Sequence, residues 1–170
     1  MSFYGDPDEL DRLAGQIGRH AEDVRTRGSE MDARAGAMRW KSVAADRARE
    51  VVTDDHRRLQ ETAQQLDEAA ALLRRHAQEV RETIAKITMF EQAIVGWFNS
   101  AITAFTKAVD EFDDLVSDIA RGVIHWVGGG QPEPPTPPWQ GWPHQPDTLP
   151  PSGDKLWLEV GEFMRRQGVI

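Results

Sequence analysis

The densest cluster of titratable side chains in this 170-residue chain is Asp54-Asp55-His56. Two carboxylates beside an imidazole are the raw material for proton exchange or cation binding. They lie in a helical pattern among Arg57, Arg58 and Glu61, however, where charges form a solvated face, and no second histidine stands at ligand spacing. His20 and His76 read as structural in the same way. Asp110, Glu111, Asp113 and Asp114 concentrate carboxylates but lack the glycine turn and alternating oxygen ligands of a calcium loop. Gly128-Gly129-Gly130 follows a helical pattern and precedes proline-rich chain, so its amides do not open a helix N-terminus as a phosphate loop does. No nucleophile has a base at a recognisable spacing. The absence of cysteine removes disulfides, thiolate zinc sites and cysteine nucleophiles. The expectation is a protein that is not an enzyme and holds neither cofactor nor metal.

What the spacing does organise is packing. Leu10, Ile17, Val24, Met31 and Met38 recur every seven residues, with Ala14, Ala21, Gly28 and Ala35 four places after the first four. Beyond Met38-Arg39-Trp40-Lys41-Ser42 the same step resumes at Ala45, Val52, Leu59, Leu66, Leu73, Val80 and Ile87, with Ala63, Ala70, Ala77 and Ile84 on the adjoining row. Two heptad seams separated by a short break predict an antiparallel helical hairpin whose Ala/Gly rows allow close approach. The seam residues expected to carry it are Leu10, Ile17, Val24, Met31, Leu59, Leu66 and Leu73, with Trp40 covering the turn end and Ser42 capping helix two. Asp6-Pro7-Asp8-Glu9 reads as the start of helix one, which would run to about Ala37, roughly 45 Å.

Thr88-Met89-Phe90-Glu91 fits a capping box and predicts a third helix, although helix two running on through Thr88 is the competing reading. Phe98, Ile102, Phe105, Val109, Phe112, Val116, Ile119, Val123 and Trp126 continue a heptad seam. Phe98, Phe105, Phe112 and Trp126 are the candidate partner surface. Nine of the ten prolines fall in 131–151, an extended linker in which Trp139 and Trp142 either pin the chain to a helical surface or contact another protein, the first being favoured. Asp154 to Gln167 forms a short amphipathic helix, with Gly168 as its stop, that must dock on something to be stable.

The fold class is therefore all-α: an elongated antiparallel helical hairpin with a third long amphipathic helix, a Pro-rich linker and a short C-terminal helix. The expected divisions are 1–88, with its turn at 38–42, then 89–127, 128–153 and 154–170. A net charge of -8 with interleaved signs argues against nucleic acid. Residues 87–109 are too interrupted by Glu91, Gln92, Asn99 and Lys107 to span a bilayer. Six carboxylates against Lys107 and Arg121 over 89–127 disfavour contact with anionic lipid there. Met1 to Leu10 has neither a basic start nor an apolar run, so export would need a route other than a signal peptide.

Asp6-Pro7-Asp8-Glu9-Leu10 opening helix one, Trp40 in the turn, Ala44-Ala45 opening helix two and the small-residue rows together resemble the Trp-x-Gly helical-hairpin family of type VII (ESX) secretion substrates. The resemblance covers Asp6 to about Ile87. Ser42 stands where the family has glycine, and the family's Tyr-x-x-x-Asp/Glu motif is missing around residues 76–100. The resemblance implies a secreted protein, cytoplasmic before export, or one that escorts an effector. Its partner would be a second copy or a similar helical hairpin. The competing expectations are a membrane-active protein working through residues 90–126 and a cytoplasmic coiled-coil scaffold.

Overall fold

Asp6 stops the chain in an extended conformation and its side chain accepts from the Asp8 amide at 2.9 Å, so the helix starts where one of its free N–H groups is satisfied. The computed structural model describes residues 5–122 and 132–170, and helix α1 runs over Pro7–Ala37. Pro7 occupies the first turn and Asp8 and Glu9 complement the positive end. Met38 returns to extended backbone (φ -65°, ψ 123°) and ends the helix. Helix α2 spans Val43–Ala120 and α3 spans Leu156–Arg166, with no strand among the described residues. The class is all-α, as expected. By contact density the chain divides at Thr83/Ile84 rather than at residue 88, α2 contributing to both units.

The break expected at Thr88 does not exist. α2 is one helix of 78 residues, and the Thr88 hydroxyl donates back to the Ile84 carbonyl at 3.0 Å, as those of Thr83 and Thr103 do one turn behind themselves. A new helix would have to be nucleated afresh and would leave unpaired carbonyls behind it, whereas continuing adds one hydrogen bond per residue. With no glycine or proline near residue 88, continuation wins. The separate third helix is thus the C-terminal part of α2. It stops at Ala120, where Gly122 takes a left-handed conformation (φ +71°) and donates to Ile119. The stop expected at Gly128 to Gly130 lies outside the described residues.

In the first unit, α1 and the N-terminal part of α2 meet in antiparallel order. Arg81 reaches Asp8 and Asp11 at 2.6 and 2.7 Å, Arg25 pairs with Asp67, and Thr53 donates to Asp32 at 3.1 Å. The buried positions are Ala14, Ala21, Gly28 and Ala35 on α1 and Ala45, Ala63, Ala70, Ala77 and Val80 on α2. This corrects the expected seam. Leu10, Ile17, Val24, Leu59, Leu66 and Leu73 are half-buried, and Met31 is 37% exposed. A Cβ on Gly28 would touch Leu59 at 3.4 Å. Carried along the heptads, that register sets Ala21 opposite Leu66 and Ala14 opposite Leu73, while Ala63 and Ala70 face Val24 and Ile17. Each of these layers opposes small to large, so the helices close on the small row and the large side chains straddle it.

The second unit is held by size instead. Ile87, Phe90, Ile94 and Phe98 of α2 and Trp157, Val160 and Met164 of α3 are all buried. Gly161 is the notch that seats Phe90, since a Cβ there would collide with the ring. The expected extended linker is a chain of turns, closed by Gln140 to Pro137, Trp142 to Trp139 and Thr148 to Gln145. Trp142 stacks on Trp97 at 5.1 Å and meets Phe98 and Phe163 edge-on, and Trp139 meets Phe98 and Phe105. The two indoles therefore pin the linker to α2. Asp154 opens α3 by accepting from Leu156 at 2.8 Å. Gly168 closes it, with the Gly168 and Val169 amides bonded to Arg165 and Met164, the αL-glycine ending of a Schellman motif.

Candidate functional site: the elbow between α1 and α2

The five residues between the helices are held by one arginine. Arg49, on the second turn of α2, donates to the Met38 carbonyl at 2.9 Å and the Trp40 carbonyl at 2.6 Å, while its other terminal nitrogen pairs with Asp46 at 2.6 Å. These bonds satisfy carbonyls left over at the end of α1 and fix the direction of the connection. Ser42 caps α2 as expected: its hydroxyl accepts from Ala45 at 3.2 Å and its carbonyl accepts from Asp46 at 3.0 Å.

Trp40 does not cover the turn. It is 71% exposed, with Val43 at 82% and Met38 at 49%. With Arg49 holding its carbonyl and no larger core beneath a seam of alanines, the indole has nothing to pack into. Beside it lies an open cleft of about 430 Å³ lined by Arg27, Glu30, Met31, Arg34, Ala35, Met38 and Val52. No sequence signal singled out Arg49. An arginine following a helix cap by seven residues has no pattern of its own.

The remaining candidates are dispersed. Asp54 and Asp55 turn to Arg57 and Arg58 at 3.1 and 3.8 Å, while His56 turns the other way, with its Nδ1 buried and unpartnered against Gly28. The three do not converge on a point. Among the described residues no group of His, Asp and Glu is placed to hold a metal ion, and no helix is long and apolar enough to cross a membrane. The guanidinium groups of Arg81 and Arg25 have their pKa raised above the ordinary arginine range by the hydrogen bonds they donate to Asp8 and Asp67 respectively, with Asp11 adding to the first. These pairs set the register of α1 on α2 and build no site.

Of the candidate partner surface, Phe98 is buried, being only 1% exposed beneath Trp139 and Trp142, and is withdrawn from that role. Phe105 is half-buried against Trp139, Phe112 is half-buried, and Trp126 lies outside the described residues. No family model, curated protein sequence or solved structure matches this chain.

Proposed function

We propose that this chain is a non-enzymatic type VII secretion-associated protein, exported itself or escorting an effector, that works through its α1–α2 pair and the elbow. The observation that carries the reading is the combination at residues 38–49: a tryptophan presented to solvent by an arginine clamp, at the end of two helices closed on alanine and glycine. A protein that needed Trp40 only for folding would bury it. Ser42 takes over from the family's glycine by capping α2. The half-exposed row of Leu10, Ile17, Val24 and Met31 offers a second copy or a similar hairpin an apolar edge. Because the Tyr-x-x-x-Asp/Glu motif is missing, the partner chain would carry that half of the export signal.

Trp40→Ala tests the reading when secretion from a host with an intact type VII system is measured beside helicity. Export or partner co-purification should fall at least tenfold with circular dichroism unchanged. Normal export of a folded Trp40→Ala chain would sink the proposal.

A further inference from the structure

We propose that the elbow is also a docking point for an anionic lipid surface. Met38 to Arg49 holds four cations, Arg39, Lys41, Arg47 and Arg49, and one carboxylate, Asp46, in a chain whose net charge is -8. Asp46 and Arg49 are paired. That leaves Arg39, Lys41 and Arg47, all exposed and without an ion-pair partner among the described residues. Between and beside them stand the exposed apolar side chains of Met38, Trp40 and Val43.

Cations interleaved with an indole and aliphatic groups match the headgroup zone of a bilayer. There the ring lies among the headgroups while lysine and arginine stems reach to the phosphates. The backbone is prepared for it as well, because Arg49 satisfies the Met38 and Trp40 carbonyls that would otherwise be drawn from water. Within about two helical turns of the tip Asp32 and Glu50 join Asp46 against Arg34, Arg39, Lys41, Arg47 and Arg49, which leaves a local charge of +2, and at physiological salt, where the screening length is about 8 Å, carboxylates farther off weigh little. An acidic protein partner is the weaker match. Lysine is depleted at protein interfaces, whose anchors sit in desolvated pockets. Here Met38 and Trp40 alternate with Arg39 and Lys41, Val43 follows, and all three apolar side chains are exposed, so a deformable surface suits them better. This inference does not rest on the secretion reading, since it is tested with the purified chain and lipid alone.

The test is sedimentation of the full chain with phosphatidylcholine vesicles, with and without phosphatidylglycerol. Binding should require phosphatidylglycerol and weaken as salt rises. At about fivefold per cation, Arg39→Gln/Lys41→Gln should lower the partition coefficient about 25-fold. Trp40→Ala should lower it too, while Lys107→Gln, in the second unit, should leave it unchanged. Helicity is followed for every variant, and Arg47→Gln, on the exposed face of α2, serves as a second charge variant if the double substitution loses helix. Failure to sediment with phosphatidylglycerol vesicles overturns the proposal, as does equal binding to phosphatidylcholine alone or undiminished binding by the folded charge variants. Retention on immobilised polyglutamate without vesicle binding also overturns it, in favour of an acidic protein partner.

Discussion

The two units solve the same problem, holding helices together without a globular core, with opposite materials. In the first, the buried positions are alanine and glycine apart from Val80 near its end, and the energy is spread over many layers in which a leucine or valine is only half removed from water. In the second, a few large side chains are almost wholly buried, among them Phe98, Trp157, Ile94 and Met164. Full burial of such a side chain contributes about 1.5–3 kcal/mol, and a half-buried one correspondingly less. The first unit should therefore tolerate truncation and resist enlargement. The second should fail at single positions.

The sharpest way to break that contrast is Phe98→Ala. The ring is 1% exposed and meets Trp97, Trp139 and Trp142, so its removal should cost about 3–5 kcal/mol and free the linker indoles. Of the described tryptophans, Trp97, Trp139, Trp142 and Trp157 belong to the second unit and Trp40 is already exposed, so intrinsic fluorescence reads mainly this unit. The emission should shift to the red at low denaturant while much of the helical signal persists. A loss below about 1 kcal/mol would mean that the aromatic cluster is not what holds the linker.

A smaller effect is expected from Ala21→Leu, placed in the middle of the small row. Enlarging a closely packed position costs about 1–3 kcal/mol because the helices must separate. The exposed neighbour Glu22→Leu is the control, and helical melting followed at 222 nm should fall for the first and hardly move for the second. Were both tolerated alike, the close approach on alanine would not be what holds α1 to α2.

The heptads made the helices legible because apolar periodicity is a property of one chain segment. They did not say which row lies innermost: Leu59, Leu66 and Leu73 repeat as regularly as Ala63, Ala70 and Ala77. That depends on interhelical distance, which the facing helix sets. Thr88 misled because a hydroxyl followed three residues later by glutamate is as compatible with a helix interior, where threonine bonds its own previous turn, as with a cap. Phe98 read as an open surface because the chain that covers it, Trp139 and Trp142, stands some 40 residues away in a segment without periodicity. Trp40 read as a cover because indoles are usually buried. Its exposure follows from Arg49, whose partners are backbone carbonyls and so leave no trace in residue types.

The finest test of the small-against-large rule is the one layer that breaks it. His56 stands in the α2 row that carries alanine at 63, 70 and 77, and the register puts it opposite Met31, so two sizeable side chains share one layer. Met31 is pushed to 37% exposure, and the buried Nδ1 of His56 has no hydrogen-bond partner. Gly28 replaces alanine in the adjoining α1 row for the same reason, since a Cβ there would come within 3.2 Å of that nitrogen. His56→Ala removes the orphaned polar atom, lets Met31 fold inward and restores the rule. It should raise stability by about 1 kcal/mol, seen as a rise of about 2–4 °C in the melting midpoint. Gly28→Ala alone should fall short of the roughly 1 kcal/mol that alanine gains over glycine within a helix, and should recover it in the presence of His56→Ala. A cycle in which the two substitutions simply add, or a His56→Ala chain that melts lower than the parent, would show that the imidazole is held by packing and that this layer is no exception.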